Sequence, residues 1–596
     1  MIPFKRPQQY FHYFRFFYRY LGIKVFIGII LSLLMGVFDG VGLALFIPLI
    51  KLAFGESVET GTELDRYSQF LLENFQFDLN LRNVFLLILI LFSLKGIFKF
   101  IDIFFRVWTQ QIFMRKIRDR SIFLLSQYDY QHFVKADTGR IQNILGNEVN
   151  RVSLAYGRYF RTIHYFVLVA VYLVLAMYNS FWFSFIVLIG GVLLNLVFTF
   201  FYKRTKFYSA KFSSESNEFQ GLLMQKINSF HYLKATGKAR AYAKRLKVKI
   251  KELEKYQLRL GIVEAFISGI REPFTILIVF AAIVIFIQFF ESPFASILLS
   301  LLLLYRSITY YIAIQEQWNA FLGVSGSLQN LTSFLEELYQ NPENSGSRDF
   351  FHFQQQLKLE GVQFAYEDSP PILNNISLEI KKNETVAIVG ESGAGKSTLL
   401  NILAGILMPG KGSYLIDTVN FKEFKFDSFR EKTGYIVQDP VIFNDTIFNN
   451  ISFWDQKNDT NLERFRKICK KSAIDTFIQN LPQKEDTLLG YNGLNVSGGQ
   501  KQRLAIAREL YKDAEIIFMD EATSNLDSET ENEIQTNLFS LKGEFTFVIV
   551  AHRLSTVKMA DRIILLKKGE IAAIGDYRSL LENNEDFRKM VELQEL

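Results

Sequence analysis

The sequence predicts a chain of two parts, a membrane-embedded bundle of helices followed by a soluble α/β domain. At 596 residues the chain is too long for a single hydrophobic core. Its 60 Phe residues and its positive mean hydropathy of +0.13 are unusual for a soluble protein, and the long apolar runs lie before about residue 325. Beyond that point short apolar runs alternate with helical patterns, which is typical of an α/β domain.

Composition excludes several classes of function. The single cysteine, Cys469, rules out an intrachain disulfide and a cysteine-based metal cluster, and the 6 histidines show no metal-ligand spacing. A net charge of +7 would suit nucleic acid, but membrane proteins carry excess Lys and Arg on cytoplasmic segments anyway, so we expect no nucleic-acid partner. Residues 1–22 mix basic and aromatic side chains and lack a cleavage site, which predicts an interfacial elbow helix instead of a signal peptide.

Residues 23–335 are predicted to form the membrane domain, with about six spans and helical extensions into the cytoplasm. The loop Gly55–Asn80 is strongly acidic and therefore belongs outside, because basic loops are the ones retained in the cytoplasm. We therefore expect a multi-pass protein of the inner (plasma) membrane with both termini cytoplasmic. The predicted spans are Ile23–Phe54, Leu81–Trp108, Tyr159–Tyr178, Trp182–Phe201, Ala265–Phe290 and Phe294–Trp318.

A polar, turn-rich stretch separates the membrane domain from the soluble domain. We place a linker at residues 336–352, because its second half reads NPENSGSRD, and the α/β domain at residues 353–596. The apolar run Val386–Val389 then reads as a buried strand and Thr398–Leu407 as the helix after it.

Between that strand and that helix lies the stretch GESGAGKST, which organises the soluble domain. Its spacing fits a P-loop, in which glycines let backbone N–H groups close around phosphate oxygens. Lys396 would reach the β- and γ-phosphates, and the Ser397 hydroxyl would ligate Mg²⁺. A structural Gly-rich turn is the alternative, but the flanking strand and helix favour phosphate binding. The residues assigned to this loop are Gly390, Ser392, Gly393, Gly395, Lys396, Ser397 and Thr398.

Two later strands end in side chains that suit phosphate chemistry. The run Ile516–Met519 ends in Asp520, which can hold Mg²⁺ through water, and Glu521, which can act as general base for the attacking water. The run Val548–Ala551 ends at His552, which could contact the γ-phosphate, although a lone His is usually structural. The P-loop upstream favours the catalytic interpretation of the two carboxylates.

A second anion-binding helix start is predicted at VSGGQKQR. Small residues before a helix expose its N-terminal N–H groups, and a P-loop domain has no internal use for a second such site. This start must therefore serve a nucleotide held elsewhere. The residues assigned to it are Ser497, Gly498, Gly499 and Gln500.

This order of motifs resembles that of ATP-binding cassette (ABC) transporters, and about six spans before one cassette resemble the exporter half-transporter. The resemblance implies ATP and Mg²⁺ as cofactors, with adenine stacked on Tyr366, and with Gln438 and Asp520 at the metal and γ-phosphate. It also places Asp527, in the SNLD loop, at the nucleotide. In the family, the P-loop of one chain and the signature of another, here VSGGQ at Val496–Gln500, enclose each ATP, so the resemblance implies a homodimer with two composite sites.

Two positions depart from the usual pattern of the family. Val496 stands where leucine is usual, a small apolar exchange that should matter little. Tyr491 occupies a position where exporters commonly have Glu, in a loop near the signature, which puts the usual ion pairing with the membrane helices in doubt.

Ionisable residues within the spans are the candidates for binding a transported substrate, because each costs about 2.5–3.5 kcal/mol at a helix centre. Lys95, Arg271 and Arg306 are the candidates, and Arg306 lies near the bilayer midplane. A local interhelical pair is the alternative for Arg271. We expect the other charges of the second span, Lys99, Asp102 and Arg106, only to mark where its helix leaves the membrane.

The cargo suggested by this pattern is an amphiphile with an anionic headgroup, because Arg pairs well with phosphate or pyrophosphate. The first-span stretch FDGVGLALFIPLI and the sixth-span stretch YRSITYYIAI are similar to those of exporters that flip lipid-linked oligosaccharides or lipopolysaccharide precursors. A multidrug or hydrophobic-compound exporter is the alternative within the same mechanism. An ATP-gated channel or regulatory membrane ATPase is the alternative of another class, against which Glu521 and His552 argue.

Overall fold

The computed structural model of the chain divides into two units, which we call the membrane domain and the cassette. The membrane domain comprises Met1–Tyr128 and Lys135–Pro342, and the cassette comprises Asp129–Val134 and Glu343–Leu596. The predicted acidic loop Gly55–Asn80 lies outside the described residues, and the finer boundaries of the predicted segments stay predictions. The described residues are 8–45, 81–179, 181–289, 294–366, 370–490, 493, 495–520, 534, 536–537, 540–551 and 553–595.

Long helices dominate the part of the chain before the cassette. By length and composition, four described stretches are apolar enough to cross a membrane, namely Lys24–Leu43, Arg82–Ser126, Thr138–Tyr178 and Ala239–Ile285. The two remaining predicted spans fall in the helices Phe181–Asn228 and Phe294–Gln340. The helices are α1 Gln8–Leu21, α2 Lys24–Ala44, α3 Leu81–Ser126, α4 Tyr130–Lys135, α5 Thr138–Asn143, α6 Val149–Asn179, α7 Phe181–Asn228, α8 Phe230–Ala235, α9 Ala239–Phe289 and α10 Phe294–Gln340, with a π-helical turn at Ile144–Glu148.

The first helix shows how an amphipathic pattern is used at the start of the chain. Tyr13, Phe17 and Leu21 recur every fourth residue, so they share one face of α1, and that face is buried. The Phe17 ring lies 5.3 Å from the ring of Phe113 on α3 and 5.6 Å from that of Tyr156 on α6. The predicted N-terminal helix is therefore held against the bundle by aromatic packing.

The cassette contains two sheets. A 4-stranded antiparallel sheet has the order β2-β1-β4-β5, and a 6-stranded sheet has the order β10-β9-β3-β8-β7-β6, in which β10 alone is antiparallel to its neighbour. The strands are β1 Gln356–Phe364, β2 Leu373–Lys381, β3 Thr385–Val389, β4 Lys411–Ile416, β5 Val419–Asn420, β6 Thr433–Ile436, β7 Ile516–Asp520, β8 Thr546–Val550, β9 Arg562–Lys567 and β10 Glu570–Gly575.

The cassette helices cover the sheets and build a separate helical region. One apolar core joins both sheets to α11, and another joins α13, α14 and α16 around Cys469. The helices are α11 Lys396–Leu403, α12 Phe426–Glu431, α13 Ile447–Ser452, α14 Asp459–Lys471, α15 Asp475–Gln479, α16 Gly498–Tyr511, α17 Leu554–Lys558, α18 Tyr577–Asn583 and α19 Glu585–Glu595, with 3₁₀ turns at Phe421–Glu423 and Lys484–Asp486.

The helix after the P-loop is shorter than predicted. It ends at Leu403 instead of Leu407, because Gly405 adopts φ +66 and stops it. A Cβ at that position would lie 2.4 Å from Cζ of Phe421, so only glycine fits there. The prediction missed a glycine C-cap.

Strand order determines where the functional loops meet. In the parallel part of the large sheet, β8 lies between β3 and β7, and β6 lies beside β7. The carboxyl ends of parallel strands share one edge of a sheet, and ligands of open α/β sheets bind there. The segments that follow β3, β6, β7 and β8 therefore begin at one edge of the cassette.

Candidate nucleotide site

Glycines shape the loop that follows β3. Gly390 leaves the strand so close to β9 that a Cβ would lie 2.1 Å from the carbonyl oxygen of Leu566. Gly395 has φ +98, and its Cβ would lie 2.8 Å from Cδ2 of Leu373. A side chain at either position would displace the loop. Glycine at both positions therefore lets the loop backbone curl as phosphate binding requires. Of the other loop residues, Ser392 and Gly393 are exposed and Thr398 is half-buried.

Lys396, the first residue of α11, turns back over this loop. Its Nζ donates hydrogen bonds to the carbonyl oxygens of Gly390, at 2.9 Å, and Glu391, at 3.0 Å. The side chain is buried, with 6% exposed. An ammonium held over a glycine-rich loop at a helix N-terminus is suited to bind the terminal phosphates of a nucleotide.

The P-loop serine and the carboxylate that ends β7 are in direct contact. The Ser397 hydroxyl donates to Oδ1 of Asp520 at 3.1 Å, across 123 residues of sequence. Gln438 is exposed and lies in a loop, two residues after the end of β6. The strand β6 is the neighbour of β7 in the sheet. A hydroxyl, a carboxylate and a side-chain amide are hard oxygen donors of the kind that Mg²⁺ takes, so this donor set fits the predicted metal.

Two residues predicted to contact the nucleotide, Tyr366 and Ser497, are held by neighbouring side chains in the cassette. Tyr366 follows β1 half-buried, with its ring 5.0 Å from that of Phe364 at 86°. Ser497 caps α16 through a capping box, in which its Oγ accepts from the Gln500 N–H at 3.3 Å and Gln500 Oε1 accepts from the Ser497 N–H at 3.0 Å. Ser497 and Gly498 are exposed, and Gly499 is buried.

Four residues that the sequence singled out lie outside the described residues, namely Tyr491, Glu521, Asp527 and His552. The structure places their neighbours. Asp520 ends β7 directly before Glu521, and Ala551 follows β8 directly before His552. Their roles stay predictions.

Arg508 is a residue that the sequence analysis missed. Its guanidinium is buried and donates to the carbonyl oxygens of Asn450, at 2.6 Å, and Val441, at 2.7 Å, and to Oδ1 of Asn450, at 3.0 Å. It lies 5.2 Å from the centre of the Phe443 ring, and burial lowers its pKa. Arg508 therefore fastens the segment after Gln438 to the signature helix α16. An arginine on the buried face of a predicted helix was the available signal.

In the membrane domain, Lys95 lies beside a carboxylate of the first span. Its ammonium pairs with Asp39, whose side chain is fully buried, and Asp39 also accepts a hydrogen bond from the Tyr172 hydroxyl. The Lys95 side chain remains 20% exposed. Its charge is therefore balanced by the protein, between helices α2, α3 and α6.

A second buried cluster surrounds Asp102 of α3. The Asp102 side chain is fully buried, so it has partners in the protein besides any place at the end of the span. It accepts from Ser32 at 3.2 Å and pairs with Arg106 at 2.5 Å, and Nδ1 of His164 lies 2.8 Å from Oγ of Ser32. These partners were not foreseen from the sequence, because a single-helix pattern does not reveal contacts on α2 and α6.

The two remaining cationic candidates have different surroundings. Arg271 is buried, and its Nη1 donates to the carbonyl oxygen of Ile312 on α10 at 3.4 Å. Arg306 is half-buried and interacts electrostatically with Tyr172 and Tyr310. Among the residues that the structure describes, no carboxylate forms an ion pair with Arg306.

The cassette holds a P-loop together with side chains suited to bind Mg²⁺ and hydrolyse a nucleotide. The same chain contains long apolar helices, so the protein is a membrane protein that carries an ATPase domain. Comparison with known families agrees. Residues 373–524 match the family described as ABC transporter, and residues 25–313 match the ABC transporter transmembrane region. The chain belongs to the ABC transporter family, as a transmembrane region followed by an ATP-hydrolysing domain.

Several curated proteins are similar to the chain. The heterocyst differentiation ATP-binding protein HepA of Nostoc sp. is 29% identical over 464 residues, which cover 78% of this chain and 76% of HepA. The ATP-dependent lipid A-core flippase of Coxiella burnetii is 36% identical over 304 residues, 51% of each chain. That of Hahella chejuensis is 40% identical over 273 residues, 46% of each chain. The chain thus spans about half the length of the flippases it matches.

A solved structure of a bacterial Atm1-family ABC exporter with ATP bound resembles the whole chain. The TM-score is 0.78, and the match covers 96% of this chain and 98% of that one. The sequences are 22% identical, so this likeness establishes the exporter fold and nothing finer.

Proposed function

We propose that the chain is an ATP-driven exporter or flippase that moves an amphiphilic lipid with an anionic headgroup across the inner membrane. The observation that carries the ATP-driven part is the 3.1 Å hydrogen bond between the Ser397 hydroxyl and Asp520, next to the Lys396 ammonium. A side-chain set of this kind serves nucleotide hydrolysis. A membrane protein that only bound ATP would not need it.

The hydrolytic roles follow from this arrangement. Lys396 would bind the β- and γ-phosphates, and Ser397 and Gln438 would ligate Mg²⁺, with Asp520 contacting it through water. When bound, Mg²⁺ neutralises phosphate charge. Glu521 would accept the proton of the attacking water, and His552 would contact the γ-phosphate.

The signature start supports assembly with a second copy of this chain. Ser497 and Gly498 are exposed at the N-terminus of α16. The P-loop of the same chain has no use for a second anion-binding helix start, as argued from the sequence. In a homodimer these two residues would complete the ATP site of the partner, whose own signature would complete this one. Closing of the two cassettes on ATP would then drive alternating access, and hydrolysis would reset it. Both termini would lie in the cytoplasm.

The cargo is proposed from the balance of charges in the membrane domain. Lys95 is paired with Asp39, and Arg271 donates to a helix carbonyl, so both have partners in the protein. Arg306 lies about 18 Å along α10, at 1.5 Å per residue, which is near the bilayer midplane. Its fork of N–H donors would suit a phosphate or pyrophosphate headgroup. The curated lipid A-core flippases favour a lipid cargo of this kind, and a lipid-linked oligosaccharide is our specific proposal.

The test is ATPase activity in liposomes with and without a polyprenyl-pyrophosphate glycan. We expect stimulation by the glycan lipid in wild type, loss of stimulation in Arg306→Ala, and retention in Lys99→Ala, which removes an exposed cation of the second span. Glu521→Gln, expected to hydrolyse no ATP, gives the background. Equal stimulation by unrelated amphiphiles, unaffected by Arg306→Ala, would favour a multidrug exporter. Absence of hydrolysis in wild type would favour a regulatory membrane protein.

A further inference from the structure

The linker segment, residues 343–350, lies against the cassette. The Gly346 N–H donates to the carbonyl oxygen of Phe424 at 2.9 Å, and the Arg348 N–H donates to that of Glu423 at 3.0 Å. A Cβ on Gly346 would lie 2.1 Å from the Glu423 oxygen, so the two backbones are in direct contact. The linker segment can therefore follow displacements of the cassette surface beneath it.

One side chain joins the start of this linker segment to the P-loop helix. Arg430, on α12, donates from Nη1 to Oε2 of Glu343 at 2.9 Å, and its Nη2 pairs with the other oxygen of that carboxylate. The same Nη2 donates to the carbonyl oxygen of Gly405 at 2.6 Å. The Arg430 and Glu343 side chains are 31% and 19% exposed, so solvent screens the pair less than a surface ion pair.

Gly405 is the point at which the P-loop helix is anchored. The helix begins with Lys396 and ends two residues before Gly405. Gly405 packs against Phe421, which stacks on Phe426 of α12 with ring centroids 4.9 Å apart. Gly405 follows the last residue of this helix, Leu403, by two positions, so a movement of the helix would be passed to the Gly405 carbonyl oxygen, which accepts from Arg430.

We propose that Arg430 is a positioning residue that transmits movement of the P-loop helix to the linker segment, and so to helix α10. Glu343 is the third residue after α10 ends at Gln340, so the path from helix to linker is short. This role of Arg430 rests on the proposed function only in requiring that the cassette bind ATP. Lysine at position 430 could not serve both acceptors, because it lacks the planar fork of arginine.

The test is hydrogen exchange of the full-length protein in detergent, with and without ATP and Mg²⁺, followed at the amides of Gly346 and Arg348. We expect nucleotide to slow their exchange by at least about fivefold in wild type, a typical coupling between sites. Arg430→Lys and Glu343→Gln should abolish this difference while ATP still binds. Glu343→Gln also keeps the test available should Arg430→Lys fail to fold.

The matched control is the other ion pair of the linker segment, Lys425 with Asp349 at 2.8 Å, whose side chains are 49% and 47% exposed. Asp349→Asn should keep the nucleotide effect on the linker amides. The proposal would be overturned if nucleotide did not change the exchange rate of the linker amides in wild type. It would also be overturned if nucleotide still slowed that exchange in Arg430→Lys. Because no cargo is added, failure of the lipid-linked cargo in liposomes would leave this result intact.

Discussion

Arg508→Met should release the segment after Gln438 from the signature helix. Arg508 holds that segment through Val441 and holds α13 through Asn450. Methionine keeps most of the buried volume but donates no hydrogen bond. The carbonyl oxygens of both residues then lose a donor, whereas Oδ1 of Asn450 keeps the Phe443 N–H at 2.9 Å.

The expected cost follows mainly from the Asn450 carbonyl oxygen, because its hydrogen bond from Arg508 is buried, whereas the bond to Val441 is only partly buried. A buried acceptor left without its donor costs about 1–3 kcal/mol. At a central cost of about 2 kcal/mol, the population of the opened state rises roughly thirtyfold. The change should be confined to the helical region of the cassette, where α13, α14 and α16 pack together.

Cys469 reports this opening, because it is the one cysteine of the chain and only 2% exposed in the same core. Burial raises the pKa of its thiol, so the folded form reacts slowly with maleimide. When reclosing outpaces labelling, the labelling rate follows the opened population. Arg466→Met removes an exposed arginine of α14 and should change the rate by about twofold at most. Equal rates in Arg508→Met and Arg466→Met would refute the reasoning.

Two further predictions concern packing and charge. Gly405→Ala should destabilise the cassette by about 2–5 kcal/mol, because alanine at φ +66 meets Phe421 Cζ at 2.4 Å. Gly543→Ala, at φ +85 with open space around it, should cost only about 1–2 kcal/mol, and equal costs of the two substitutions in denaturant unfolding would contradict the packing argument. Asp39→Asn should cost about 3 kcal/mol or more, because it strands the Lys95 ammonium in the bundle, and adding Lys95→Met should recover much of the loss in detergent thermal melts. A double variant no more stable than the single one would argue against the pair.

Local sequence signals predicted the strands that carry the nucleotide site. The run Val386–Val389 lies within β3, and Ile516–Met519 lies within β7, because continuous apolar runs suit strands buried on both faces. The end of the helix after the P-loop was predicted four residues too late, at Leu407 instead of Leu403. This end depends on how closely Gly405 approaches Phe421, a contact that no local pattern reveals.

The nucleotide site was predictable because its motifs combine residue type with strand and helix context. That Ser397 would contact Asp520 follows from two parallel strands that end at one edge of a sheet. Arg508 could not be assigned a role in the same way. Its acceptors are backbone carbonyls of Val441 and Asn450, and any residue type could supply them, so the sequence carries no mark of the partner.

The intramembrane charges show where prediction from spacing ends. Lys95 and Asp102 share one face of α3, but their partners Asp39 and Ser32 are 56 and 70 residues away on α2. Spacing along one helix shows only that charges share a face, and Lys99 on that face of α3 is exposed, so only packing shows whether the protein already balances a charge. This distinction separates the candidates for cargo binding, because a charge with a protein partner must lose that partner before it binds a headgroup. Arg306, which forms no ion pair among the residues that the structure describes, would under our proposal bind an anionic headgroup without that loss.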